Sequence, residues 1–347
     1  MDIKSIISEL NCFTELHLHL DGSVSVKSAR ELADIENIIL PESDEELKDM
    51  LMVSEDCSDL NEYLEKFSLP VSLMQSEKSI EKAAYNLCCE LKSLGMMYAE
   101  IRFAPQKHCE KGISQECAVR AALSGIEKSG FDAQLILCCM RDGSDNSKEN
   151  LETVKLTEKY LGKGVCACDL AGAEALFPNS KYLYVFEEAA KLNVPYTVHS
   201  GEALGYESVI EAVENGAHRI GHGVRAAENH EASELLLKSQ VPIEVCPTSN
   251  INTCVFKRIS DIPLRYFMNL GVNVTVSSDN MSVSATNIKN EYLKLAAAFE
   301  LSLDEIRLLI ENSVKAAFTD ESHKERLMEI VSAEFGRYSG EYDKKRG

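Results

Sequence analysis

The chain has 347 residues, long for a single-core domain but within the range of barrels built from alternating strands and helices. Hydrophobic residues make up 45%, enough for a large core, and 56 Asp and Glu against 36 Lys and Arg leave a formal charge of -20. That balance argues against a nucleic-acid or anionic-membrane surface, and the terminal Lys344-Lys345-Arg346 is too short to offset it. No apolar run approaches a membrane span. Met1-Asp2-Ile3-Lys4 leads into amphipathic sequence rather than a secretory leader, so a cytoplasmic protein is expected. The twelve Cys are then expected as small buried hydrophobes, not disulfides, and no Cys-x-x-Cys suggests a thiolate metal site.

In chain order, short β-branched and apolar runs bounded by turn residues predict eight strands, at 14–20, 98–104, 133–140, 164–170, 195–199, 219–222, 242–246 and 273–278. Most are near-continuously apolar, as in strands buried on both faces of a parallel sheet. Helical patterns fill the gaps. Residues 77–94 put Ile80, Ala84, Leu87, Leu91 and Leu94 on one stripe before Gly95. Further helices are predicted at 115–129, 206–215 and 262–270, each followed by glycine. This alternation predicts a (β/α)8 barrel in a single domain, 1–347. The runner-up, an open doubly wound sheet, lacks a supporting Gly-x-Gly-x-x-Gly or Gly-Lys-Ser/Thr loop. Residues 21–97 exceed what one helix needs and predict a helical insertion at about 25–95, including the acidic stretch 42–49, that is placed to cover the site. Extra helices are also expected from about residue 290 onward.

Five polar motifs end apolar runs: His17-Leu18-His19, His199-Ser200-Gly201-Glu202, Gly221-His222-Gly223, Cys246-Pro247-Thr248-Ser249-Asn250 and Ser278-Asp279-Asn280. Catalytic groups of such barrels sit at the C-terminal ends of strands, where all five fall. Side chains two apart on a strand share a face, so His17 and His19 point into the barrel together. Any one His is an ordinary buried residue at better than even odds. His-x-His with two further His and an Asp, all at strand ends, is a metal site. Nitrogen and carboxylate donors without thiolate suit Zn2+, with Fe2+ or Co2+ compatible.

Taken with Tyr98-Ala99-Glu100-Ile101-Arg102-Phe103-Ala104-Pro105, Asp169-Leu170-Ala171-Gly172 and His218-Arg219-Ile220-Gly221-His222-Gly223, these motifs resemble the adenosine deaminases in order from about residue 10 to 320. The resemblance implies one zinc per chain, held by His17, His19, His199 and Asp279, that activates water for attack on C6 of the purine. It implies Glu202 as the acid that protonates N1, and His222 as the residue that orients and stabilises the nucleophile. It further implies that Gly172 meets N3 through its N–H, that Asp21 accepts the ribose 5′ hydroxyl, and that Asn280 faces N7. Many adenosine deaminases carry Asp where this chain has Asn280; an amide donates to N7 without needing protonation. Relatives acting on free adenine tend to carry Glu in place of Asp21, which favours a nucleoside. Arg102 and Arg225 read as structural ion-pair partners rather than phosphate ligands.

The expected function is hydrolysis of adenosine, and of 2′-deoxyadenosine, to the inosine product and ammonia, acting on a small molecule with no nucleic acid or membrane partner. The alternatives are a deaminase of adenine, of methylthioadenosine or S-adenosylhomocysteine, or of N6-methyl-AMP or AMP, and a binding protein that has kept the fold. The binding protein would show its sign as a lost ligand or a lost Glu202, and all are present.

Overall fold

The computed structural model describes residues 2–54 and 57–342; Lys344-Lys345-Arg346 lies outside them. Among these residues eight parallel strands follow one another around a barrel: β1 (Phe13–His19), β2 (Met96–Phe103), β3 (Ala133–Arg141), β4 (Val165–Gly172), β5 (Tyr196–Ser200), β6 (Arg219–His222), β7 (Ile243–Val245) and β8 (Val274–Val276). All eight coincide with the runs expected from sequence, because strands covered on both faces must be apolar almost throughout. The sequential strand order excludes the open doubly wound alternative.

The barrel closes between β1 and β8 through few bonds, and those bonds lie at the motifs. His19 N–H donates to the Asp279 carbonyl at 2.8 Å, and Asp279 N–H donates to the His17 carbonyl at 2.9 Å. Two strands are shorter than expected, and each has a local cause. In β7, Pro242 has no N–H to donate, and Cys246 precedes Pro247, which opens a helix, Pro247–Asn252. In β8, Ser278 N–H leaves the ladder for the Glu15 carboxylate, and Asp279 turns away at φ 62.

The helices start and stop for legible reasons. Ser76 caps Glu77–Ser93 in a reciprocal capping box with Ser79. Gln115–Ser129 is capped by Ser114 and released at Gly130, φ 62, a left-handed position that costs glycine little. The helix expected from 262 begins at Leu264, because Pro263 keeps Ile262 extended.

Between β1 and β2 lie the helices Val26–Glu36, Asp44–Leu51, Leu60–Glu65, Ser68–Ser72 and Glu77–Ser93. At the opposite end of the chain, Ile288–Phe299, Leu303–Ala316 and Glu321–Tyr342 follow β8. The last of these connections seals the N-terminal mouth of the barrel. Arg219 donates to the Ala316 carbonyl at 3.0 Å and lies 3.9 Å from the Phe318 ring centre. No helix among the described residues is long and apolar enough to cross a membrane.

Candidate active site

A cavity of about 660 Å3, the size of a small-molecule site, opens at the C-terminal ends of the strands. Its wall includes His19, Asp21, Gly172, His199, Glu202, His222, Asp279 and Asn280. His17 lies beneath it, fully buried. The residues singled out from sequence therefore converge, although they come from five strands and the loops that follow them.

His17 and His19 share the inner face of β1, with ring centres 5.4 Å apart, and His199 at the end of β5 sits 4.5 Å from His17. The ring nitrogens of these three residues lie within 4.8 Å of one another. His19 Nε2 is 3.3 Å from His199 Nε2 and 3.4 Å from Asp279 Oδ1, and His17 Nε2 is 3.5 Å from the same Asp279 oxygen. His17 Nε2 is buried without a hydrogen-bond partner. Buried polar atoms are almost always paired, so an orphan at the centre of four converging donors fits a divalent cation.

A second possible donor group overlaps the first: His17, His222, Cys246 and Asp279. Cys246 is the weaker member. Its thiol donates to the Glu244 carbonyl at 3.4 Å, and burial, with Asp279 and Glu244 nearby, pushes its pKa well above 9.0. His222 has its own geometry. The Asn250 amide meets its Nδ1 at 3.1 Å, leaving Nε2 to face Glu202 Oε2 at 3.5 Å. Burial and the nearby His17 hold its pKa well below the usual value, so the ring is neutral. His222 and Asp279 both adopt left-handed backbone, φ 60 and 62, a region sparsely used by non-glycine residues and concentrated at functional sites.

Glu202 lies in the loop after β5, 4% exposed, and its pKa is pushed up to about 8 by burial and by the Asp279 and Glu174 carboxylates. A carboxyl in that state can deliver a proton at neutral pH. Asp21 sits in the turn Asp21–Ser23 and accepts the Gly22 N–H at 3.1 Å. Burial raises its pKa to about 6. Gly172 ends β4 at φ 110, where a Cβ would stand 2.5 Å from the Arg141 carbonyl, so the backbone alone requires glycine there. Asn280 is buried with Oδ1 unpaired. Gly22 makes room for it: a Cβ there would overlap Asn280 Oδ1 at 1.7 Å.

Residues 13–334 match the family model described as adenosine deaminase. The chain belongs to the adenosine deaminase family. It is 45% identical to the adenosine deaminase of Haemophilus ducreyi over 92% of this chain and 96% of that one. It is 37% identical to that of Clostridium acetobutylicum, over 94% and 99%. Among solved structures it resembles an adenine deaminase from Arthrobacter aurescens, with a TM-score of 0.84, 27% identity and coverage of 93% and 99%.

Sequence reasoning missed the groups that orient this family's histidines here. His17 Nδ1 meets Glu244 Oε2 at 2.6 Å, and His199 Nδ1 meets Asp169 Oδ2 at 2.9 Å. Each contact fixes the tautomer, leaving Nε2 with its lone pair toward the cavity. Both carboxylates are locked in turn. Arg102 binds Asp169 at 3.0 Å and Glu244 at 2.9 Å, while Arg219 binds Glu244 at 2.6 Å and Glu100 at 2.6 Å. Burial opposes ionisation of Glu244, but Arg102 and Arg219 outweigh it and hold its pKa well below the usual range. Arg102 is thus an ion-pair partner, as expected, and Arg225 pairs with Glu228 at 2.7 Å.

Glu174 was also missed. Its carboxylate accepts the N–H groups of Gly201, Glu202, Ala203 and Leu204 at 2.7–3.1 Å, which shapes the loop carrying Glu202. The available signal was charge inside apolar strands: Glu100, Arg102, Asp169, Arg219 and Glu244 had to find partners. The cavity wall also includes Leu60, Tyr63, Leu64, Phe67, Val71 and Ser72, which lie within the helical segment expected over the site, while residues 42–49 of that segment do not line it.

Proposed function

We propose that this chain hydrolyses adenosine to inosine and ammonia, and 2′-deoxyadenosine likewise, with one zinc ion per chain held by His17, His19, His199 and Asp279. The observation that carries the reading is the orphaned Nε2 of His17 among converging donors, with the buried Glu202, whose pKa burial pushes up to about 8, beside them. The three nitrogens and one carboxylate oxygen suit zinc. When bound there, zinc supplies Lewis-acid activation of the attacking water.

The chain's own residues perform the rest. Glu202 donates its proton to purine N1, which draws electron density from C6 as the water oxygen adds there. His222, neutral and facing Glu202, orients the nucleophile and stabilises the negative charge that develops on it. One water proton restores Glu202 and the other passes to N6, so that the C6–N6 bond breaks with the amino nitrogen leaving as ammonia and the purine retaining oxygen at C6. Asn280 donates to N7, Gly172 N–H faces N3, and Asp21 accepts the 5′ hydroxyl. Glu244 and Asp169 keep the His17 and His199 lone pairs aimed, a positioning role.

The test is turnover of adenosine by the purified protein, followed by loss of its ultraviolet absorbance and release of ammonia, with metal content measured in parallel. 2′-Deoxyadenosine, adenine, AMP and methylthioadenosine complete the panel. Adenosine and 2′-deoxyadenosine should be consumed, with about one zinc per chain. Metal-loaded protein that spares adenosine and consumes another purine would replace this reading with that substrate.

A further inference from the structure

The cavity wall divides by chemistry. The metal-type donors come from β1, β5 and the loop after β8, while the loops following the adjacent strands β1, β2 and β3 contribute Asp21, Lys107 and Asp142. These three stand on one side of the mouth, where the ribose end of a nucleoside lies if Asp21 accepts its 5′ hydroxyl.

A phosphate at that position needs cations to replace its water. The described cavity wall has two. Arg141 is fully buried, and both its terminal nitrogens are engaged by the fold, donating to the His199 and Leu170 carbonyls, the Asn179 side chain and the Phe177 carbonyl at 2.8–3.3 Å, while its Nε is buried without a partner. Lys107 is 37% exposed and reaches the mouth, but its ammonium is bonded to the Asp142 carboxylate. Asp142 is held in place by the Ser144 N–H at 3.1 Å and the Ser144 hydroxyl at 2.5 Å. Burial raises the Asp142 pKa, but Lys107 and Ser144 outweigh it, so the group is charged. Glu110 adds a further carboxylate to the same wall.

We propose that Asp142 is a specificity-determining residue that excludes 5′-phosphorylated purines, by holding Lys107 in an ion pair and by presenting its own negative charge to the 5′ end. Discrimination here works by repulsion and by denying the phosphate a cation, not by a better fit to the nucleoside. The inference rests on the reading of the site as one that deaminates adenosine.

The experiment compares kcat/KM for adenosine, AMP and 5′-O-sulfamoyladenosine, a neutral analogue close to AMP in size. The wild type should use the sulfamoyl compound at least about 10-fold better than AMP, because only the dianion meets the carboxylate wall. Asp142→Asn should raise the AMP-to-adenosine ratio by about 10-fold or more, and Asp142→Glu, which keeps the charge, should not. Adding Lys107→Ala to Asp142→Asn should reverse the gain. A flat ratio in Asp142→Asn overturns the proposal. So does a wild type equally poor on both 5′-substituted compounds, since exclusion would then be steric; this comparison also decides the matter if the variant does not fold. A wild type that turns over no adenosine overturns the functional reading and the inference with it.

Discussion

The two buried glutamates nearest the histidines do different work, and their amides should separate the roles. If Glu202 is the proton donor and not a metal donor, as proposed, Glu202→Gln should lower kcat by about 10^2–10^4 with metal content retained. Glu244→Gln leaves the cavity lining unchanged but strips a charge from Arg102, Arg219 and His17. Metal affinity, read by chelator competition, should weaken by about 10–100-fold. Stability should drop by roughly 3–5 kcal/mol, because two buried guanidinium groups lose their shared partner. Behind the cavity wall, next to Lys107, His108 is fully buried, with Nδ1 donating to the Met74 carbonyl at 2.9 Å and Nε2 unpaired. Burial lowers its pKa from 6.5 to about 4. Below pH 6.5 the unfolded chain takes up a proton that the folded chain refuses, so this contribution is complete above 6.5 and is lost as pH falls toward 4. The stability difference between wild type and His108→Gln should shift against the wild type by about 2 kcal/mol between pH 7 and pH 5, as measured by urea unfolding. The site histidines and Glu202 were legible in the sequence because polar residues ended apolar runs. Asp169 stood in a motif and Glu244 within an expected strand, both without a role, because the partners that give them one come from other strands.

Between elements, the turn Asp21–Ser23 is stitched to the loop after β8. The N–H groups of Ser282 and Val283 both donate to the Gly22 carbonyl, at 3.0 and 3.2 Å, and Met281 N–H donates to the Ser23 hydroxyl at 3.2 Å. Gly22→Ala would drive a methyl into the Asn280 amide, which lines the cavity and would be pushed from its place in that wall. Steady-state kinetics should show adenosine KM rising about 10-fold or more, with circular dichroism unchanged, since the strain falls on one side chain. Element positions were legible wherever one local rule dominated. A fully apolar run made a strand, and a Ser cap or a following Gly bounded a helix. Where neighbours competed for a backbone group the sequence misled: Ser278 N–H chose the Glu15 carboxylate over the ladder and shortened β8. That an insertion follows β1 was legible from its length, but which of its residues face the site was not: those from Leu60 to Ser72 are apolar and hydroxyl-bearing and look like ordinary helix surface.

For the whole molecule, the site doubles as the seam of the barrel. Asp279 bonds β1 through both its N–H and its carbonyl, and its carboxylate faces His17 and His19. A metal held there ties the first strand to the last and binds the folded chain alone, so its removal should destabilise the whole barrel. At a hundredfold excess of free metal over its dissociation constant the contribution is about 2.7 kcal/mol. For a chain of this length the unfolding entropy is roughly 0.7 kcal/mol/K, so chelation should lower Tm by about 4 °C, and added zinc should restore it. A Tm indifferent to chelator at full metal loss would mean that the seam holds without the ion.

The sequence by itself determined the alternation of strands and helices, the barrel that alternation builds, and the identity of the residues at its C-terminal mouth. Those follow from periodicity and from polar residues interrupting apolar runs, which are local properties. Only the tertiary structure decided which carboxylate aims which imidazole, which glycine makes room for Asn280, and that Lys107 is already paired with Asp142. Each of these is a contact between residues tens to hundreds of positions apart, set by strand order and register around the barrel, and no local pattern in the chain records it.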